Sequence, residues 1–248
     1  MKKSKLVAIY NVFDGEELLP YSVKEIKPHV DAIICVYQNV SNRGEQYQPT
    51  FKHSLFNYVV EYVPNLKMTA SANEKRKRNF ALSSAKELVP DMTHFVFLDC
   101  DEIYSSADFK QAKEEVISTG VDASFCNMLT YYRKPTLVLN PPETYFVPFI
   151  CKYFSWQTLG KNDYLWNKGI ISDPTRTPIA VATYRLLQIR MNHYSFVRAD
   201  IGRKLRNSSS DIYANKWQEL KAEFDAGKLI HFKGHELIES KNLFNIEL

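Results

Sequence analysis

Two short apolar runs near the start of the chain, separated by an amphipathic segment, limit the folds open to this sequence. The runs KLVAIY (5–10) and DAIICVYQ (31–38) read as buried strands. Between them, residues 15–30 place apolar side chains near one face at helical spacing, which predicts a helix. Strands joined by a crossover helix pair in parallel. The opening therefore predicts a βαβ unit and a parallel sheet.

The alternation of predicted strand and helix continues to residue 120 and then stops. We expect a strand at 55–64, a helix at 73–89, a strand in THFVFLDCDEIY (93–104) and a helix at 106–120 capped by Ser106 or Asp108. From residue 121, three aromatic, β-prone segments predict antiparallel strands added to the sheet. The pattern indicates an α/β fold with one mixed sheet, parallel in its N-terminal half.

The C-terminal part of the sequence is predicted to be helical. Helical patterns cover residues 198–226, and a short final element falls near LIHF (229–232). We expect a domain over residues 1–210, with a helix and tail at 211–248 packed on it. Ile212, Leu220 and Phe224 share one helix side, which either covers the core or pairs with a second copy of the chain, so the oligomeric state stays open.

Composition excludes some classes of protein. The 248 residues are 45% hydrophobic, enough for a sizeable core, and the widely spaced cysteines predict buried thiols in a reducing compartment. The basic N-terminus is followed by an apolar stretch too short for a signal peptide or membrane span. We therefore expect a cytoplasmic protein with no membrane span.

Positive charge is concentrated in two segments, although the net charge is only +4. NEKRKRN (73–79) places Lys75 to Arg78 in the first turn of the predicted helix, where cations oppose the helix dipole. RADIGRKLRNSSS (198–210) is the second segment. Either segment can be an ordinary solvated face, but together they suit phosphate groups if the fold brings them close.

Three carboxylates follow the apolar run Phe95 to Leu98, namely Asp99, Asp101 and Glu102. Ligands of open parallel sheets collect at the carboxyl ends of the strands. Two carboxylates at such an edge suit a hard divalent cation that leaves positions open for phosphate oxygens. An Asp that caps the next turn explains one acid but not three.

The chain resembles nucleotide-sugar-dependent glycosyltransferases of the GT-A fold, specifically the family 2-like bacterial and phage enzymes. The resemblance lies in the βαβ start, a helix with cations near its N-terminus, an apolar strand that ends in D-x-D-E, and later antiparallel strands. The resemblance covers roughly residues 5–210 and implies a Rossmann-like GT-A domain. It implies a Mn²⁺ or Mg²⁺ ion held by Asp101, with Asp99 on the ribose side or as a further ligand. His193, in MNHYSFVR, is similar in place to a later metal ligand of that family.

The resemblance also implies residues that bind the donor, a UDP- or GDP-sugar. Asn11 and Asn42 are similar in position to nucleobase contacts, although the family's paired acids after the second strand are missing from VYQNVSNRGE. Stabilising a departing diphosphate requires cations as well as a metal. We expect Arg78, Arg198 and Lys204 to fill this role.

An inverting transfer needs a carboxylate that accepts the proton of the acceptor hydroxyl. Glu143, Asp163 and Asp173 are the candidates in the second half, and Asp173, beside Pro174, is preferred, while a retaining enzyme needs none of them. The acceptor is open among a saccharide, a lipid-linked glycan, a protein and modified DNA. Asp101→Ala is expected to abolish metal-dependent donor binding and to leave the fold intact.

Two other functions remain as alternatives. A metal-dependent nuclease or phosphohydrolase also uses clustered acids, a His and cations. A nucleic-acid-binding protein, or a glycosyltransferase acting on modified DNA, would use the basic segments with exposed aromatic residues. The aromatic candidates are Tyr131, Tyr132, Trp156 and Trp166.

Overall fold

A computed structural model describes residues 4–160, 170–179, 181–230 and 232–248. Within these residues, ten strands form one sheet in the order β10-β7-β6-β8-β4-β1-β2-β3, with β9 paired to β5 and β6. The elements are β1 (Leu6–Val12), α1 (Leu19–Ile26), β2 (Ala32–Tyr37), β3 (Tyr58–Glu61), α2 (Ala70–Leu88), β4 (His94–Asp99), β5 (Glu102–Ile103), α3 (Ser106–Thr119), β6 (Ala123–Tyr132), β7 (Leu137–Asn140), β8 (Phe146–Lys152), β9 (Tyr184–Phe196), α4 (Ile201–Arg206), α5 (Asp211–Asn215), α6 (Trp217–Asp225) and β10 (Glu236–Glu239).

The N-terminal half of the sheet is parallel, as predicted. β1 pairs in parallel with β2 and β4, and β2 with β3, so that Asn11 lies opposite both Val36 and Asp99. β1, β2 and β4 are almost wholly buried because helices and later segments cover both faces of the sheet. The predicted fold class is confirmed, and the carboxyl ends of β1, β2 and β4 meet at one edge.

One helix start and one helix cap differ from those predicted. α2 begins at Ala70, where Thr69 Oγ1 accepts a hydrogen bond from Ala72 N at 3.2 Å, and not at residue 73. Lys75 to Arg78 therefore lie beyond the first turn, so the prediction that these cations oppose the helix dipole is wrong. α3 is capped by Ser105, whose Oγ accepts from Asp108 N at 3.1 Å, because that hydroxyl satisfies a free N–H of the first turn.

The second half of the sheet is mixed in direction. β8 pairs antiparallel with β4 and β6, as expected, whereas β9 is antiparallel to β5 and parallel to β6. In the β5–β9 register Glu102 lies opposite His193, and Tyr194 N donates to Asp101 O at 2.7 Å. This pairing brings the D-x-D-E segment next to a strand almost a hundred residues later in the chain.

The C-terminal segment contributes to the core. Leu220 and Phe224 of α6 pack on a cluster that includes Tyr132, whereas Ile212 is 60% exposed. The last strand is β10, which pairs with β7, and it lies beyond the LIHF segment predicted to end the chain.

Two aromatic residues proposed for nucleic-acid binding are buried. Tyr131 and Tyr132 are 0% exposed, so the expectation that they face solvent is wrong. Trp156 is exposed and stacks on Phe154, and Trp166 lies outside the described residues.

The four cysteines are free and buried, as predicted. Of the helices described, none is long and apolar enough to cross a membrane.

Candidate functional site

A polar pocket, called here the first pocket, lies where β1, β2 and β4 end. Its volume is about 170 Å³. The strand ends supply Asn11 and Asp99, the segment before α4 supplies Arg198, and the last turn of α4 supplies Lys204. Seven residues predicted to bind the donor or metal line it together: Asn11, Asn42, Arg78, Asp99, Asp101, Arg198 and Lys204.

Arg78 forms one side of this pocket and is 1% exposed. Its Nη2 donates to Asp99 Oδ2 at 2.8 Å, and Glu74 Oε1 lies 3.5 Å from the same nitrogen. With the Asn11 amide oxygen facing Arg78, Asn11 accepts from Nη1 at 2.6 Å and from Nε at 3.1 Å. The Asn11 amino group is then left to donate elsewhere.

Asp101 is surrounded by positive charge and is only 1% exposed. Arg198 Nη2 donates to its Oδ2 at 2.5 Å, Lys204 Nζ lies at 3.6 Å and His193 Nε2 at 3.8 Å. Burial favours protonation, but the charges of Arg198 and Lys204 outweigh it and hold the pKa of Asp101 well below its usual range. The carboxylate is therefore ionised at any physiological pH.

Glu102 and Asp173 belong to a buried ion-pair network and line neither the first pocket nor the second pocket described below. Arg176 Nη2 lies 2.5 Å from Glu102 Oε1, and Arg176 Nε lies 2.8 Å from Asp173 Oδ2. Burial raises the pKa of Asp173, but Arg176 and Arg78 lower it further than burial raises it. These contacts argue against the predicted role of Asp173 as proton acceptor, and Asp163 lies outside the described residues.

A second pocket adjoins the first and has a volume of about 140 Å³. Lys204 and Ser208 line both pockets. Glu143 and His193 line the second, and the Glu143 carboxylate accepts a hydrogen bond from Thr130 Oγ1. Burial lowers the pKa of His193 despite the opposing influence of Asp101 and Glu143, so the imidazole is neutral at neutral pH.

Sequence reasoning missed two buried residues of the first pocket. Lys77 is 5% exposed and its Nζ donates to Val12 O at 2.9 Å, and burial lowers its pKa to about 8. Gln38 is 2% exposed, and its Nε2 donates to Val40 O at 2.8 Å. A signal for Lys77 was present in the sequence, because Lys77 occupies the same helical stripe as Ala81 and Ala85.

The Asp101 and His193 side chains offer two candidate ligands for a divalent metal ion, although Asp101 Oδ2 already accepts a hydrogen bond from Arg198 Nη2. A carboxylate oxygen and a neutral imidazole nitrogen 3.8 Å apart are ligand types that Mn²⁺ accepts. Within the described residues, no group of three or more His, Cys, Asp or Glu side chains is placed to hold a metal ion. The remaining ligands of an ion there would be phosphate oxygens and water, the arrangement common for ions bound with nucleotides.

No protein-family model matches this chain, and no curated protein matches it either. Among solved structures, the crystal structure of S. aureus TarS 1-349 shares 10% sequence identity at a TM-score of 0.45, over 89% of this chain and 70% of that chain. TarS 1-349 in complex with UDP shares 14% identity at a TM-score of 0.39, over 56% of this chain and 38% of that chain. The complex with UDP-GlcNAc shares 13% identity at 0.37, over 56% and 37%. All three TM-scores are below 0.5.

Proposed function

We propose that the protein is a metal-dependent glycosyltransferase of the GT-A type, which moves a sugar from a nucleotide diphosphate sugar to a hydroxyl acceptor. The observation that carries this proposal is the convergence of Arg78, Arg198 and Lys204 on Asp99 and Asp101 at the carboxyl edge of a parallel sheet. Cations and carboxylates at this edge suit a ligand that carries both phosphate groups and a ribose.

The charge balance of the first pocket supports a metal ion alongside the donor. Among its described lining residues, four cations face four acids: Lys77, Arg78, Arg198 and Lys204 against Asp14, Glu74, Asp99 and Asp101. A sugar nucleotide is a dianion, so the protein alone provides no surplus charge to neutralise it. A divalent cation bound with the donor restores the balance.

Asp101 and His193 would hold this ion, and Asp99 would contact the ribose. The ion would stabilise the negative charge that develops on the diphosphate. Lys204, with a side chain 30% exposed, would turn from Asp101 to a phosphate oxygen. Arg198, 4% exposed and also 3.5 Å from Asp14, would stay near Asp101 and orient its carboxylate.

Glu143 is the better candidate for accepting the proton of the acceptor hydroxyl. Its carboxylate lines a pocket next to the donor pocket, whereas Asp173 is paired with Arg176. The hydrogen bond from Thr130 Oγ1 holds Glu143 in place and leaves the carboxylate further acceptor sites.

The test is a binding measurement by calorimetry with UDP, GDP, CDP and ADP, each with and without Mn²⁺. We expect one nucleotide to bind only when the metal is present, and Lys204→Ala to weaken that binding. Lys221→Ala is the matched control, since Lys221 is 40% exposed and pairs with Asp225 outside the pocket. Absence of binding by every nucleotide would contradict the proposal, and binding of oligonucleotides alone would favour the nuclease or nucleic-acid-binding alternatives.

A further inference from the structure

The second pocket is positioned to present a molecule to the donor. Because Lys204 and Ser208 line both pockets, a ligand in the second pocket would lie next to the diphosphate end of a ligand in the first. We propose that this second pocket is the acceptor site and that it binds a saccharide ring. The inference rests on the function proposed above and specifies the class of acceptor.

The second pocket combines two kinds of lining residue. Glu143, His193 and Ser195 offer polar atoms. Phe196 and Phe232 offer aromatic rings, which meet edge to face with centroids 5.4 Å apart. A saccharide ring has hydroxyl groups at its edge and C–H groups on its faces, so one ring can contact both kinds of residue. Apolar walls with a few convergent polar groups are typical of sites for small ligands.

His193 provides a polar atom that a hydroxyl would satisfy. Its Nδ1 is buried and has no hydrogen-bond partner among the described residues. If Nε2 binds a metal, the ring proton resides on Nδ1, which then needs an acceptor. A sugar hydroxyl oxygen supplies one, whereas an aliphatic ligand does not.

The charge of the second pocket argues against a polyanionic acceptor. Among its described lining residues Glu143 and Lys204 carry opposite charges, which leaves no surplus of positive charge. Nucleic acid is bound by a surplus of Lys and Arg that neutralises several phosphates. The pocket therefore suits an uncharged ring better than DNA carrying a modified base.

The reaction at this junction is a substitution at the anomeric carbon. The acceptor hydroxyl oxygen forms a bond to that carbon while the bond from the carbon to the β-phosphate oxygen breaks. The electron pair leaves with the nucleoside diphosphate, and the hydroxyl proton passes to the Glu143 carboxylate. No oxidant or further reactant is needed.

The test uses methyl glycosides as probes. The full-length protein, saturated with Mg²⁺ and the nucleotide that binds best, is mixed with methyl α- and β-glycosides of glucose, galactose, mannose and N-acetylglucosamine. Saturation-transfer NMR reports which glycoside binds. Tyr145→Ala and Tyr213→Ala alter the pocket from two different segments, and both tyrosines are only partly buried. Tyr58→Ala, on β3 and 39% exposed, is the matched control.

We expect at least one glycoside to give signals that both pocket variants weaken at least fivefold and that Tyr58→Ala retains. Nucleotide affinity should change less than twofold in all three variants. If the nucleotide binds and no glycoside does, or if the signals persist in both pocket variants, the acceptor inference is wrong while the donor proposal stands. If no nucleotide binds to the unmodified protein, the donor proposal fails first and the inference fails with it.

Discussion

The two pockets meet at Lys204 and Ser208 but are built in opposite ways. The first is lined mainly by ion pairs, such as Arg78 with Asp99 and Arg198 with Asp101. The second combines one carboxylate with aromatic rings. An ion-paired site can exchange its internal partners for a charged ligand, whereas an aromatic site selects by shape. Under the proposed function, the donor pocket would select by charge and the acceptor pocket by shape.

The largest effect is expected from Glu143→Gln in the second pocket. Loss of a general base lowers the rate of transfer by about 10²–10⁴-fold. Nucleotide affinity should stay unchanged because Glu143 does not line the first pocket. Steady-state kinetics with calorimetry checks this, and Glu239→Gln on exposed β10 is the control. Equal losses of nucleotide binding and transfer would show that the two pockets do not work separately.

A smaller but still large effect is expected from Asp101→Ala in the first pocket. Removing Asp101 leaves Arg198 buried without its main partner, which costs about 3–5 kcal/mol of the free energy of unfolding. Urea denaturation measures this loss. The expectation from the sequence, that this variant leaves the fold intact, assumed an exposed acid, but Asp101 is 1% exposed. An unchanged midpoint of unfolding would show that the ion pairs of this pocket contribute little to stability.

Lys204→Ala tests the boundary between the pockets. Loss of one phosphate contact weakens nucleotide binding by about tenfold, roughly 1.4 kcal/mol. Because Lys204 is 30% exposed, its replacement should leave stability nearly unchanged. Calorimetry and thermal unfolding of the same variant measure both quantities. If the variant is stable and its nucleotide affinity is unaltered, the diphosphate does not bind at Lys204.

The smallest effect is a dependence of nucleotide affinity on pH. Lys77 has a pKa lowered to about 8 by burial, so it loses its charge as pH rises through that value. An anionic ligand favours the protonated amine, and affinity should therefore fall by a few fold between pH 7 and pH 9. Lys77→Met should flatten this profile. If nucleotide affinity depends on pH in the same way in the variant, a group other than Lys77 is responsible for the titration.

The parallel half of the fold and much of the first pocket were predictable, because strand ends such as Asn11 and Asp99 are local in the sequence and parallel pairing brings them together. The ion-pair partners of the charged residues were not predictable, because Arg176 binds Glu102, which lies 74 residues earlier in the chain. Asp173 was preferred as a base although Arg176 is only three residues further along the chain, because the sequence does not show that the two side chains are buried together. Lys77 could have been found, because its position on the helical stripe of Ala81 and Ala85 predicts a buried cation.

The pairing of β5 with β9 has a consequence for synthesis of the protein on the ribosome. Asp101 meets His193, Arg198 and Lys204 only after β9 and α4 have emerged, although the parallel strands that end at the first pocket are complete by residue 99. Until then Asp101 lacks these three partners, whereas Asp99 and its partner Arg78 have both been synthesised. The full set of charges around Asp101 is therefore reserved for nearly finished molecules.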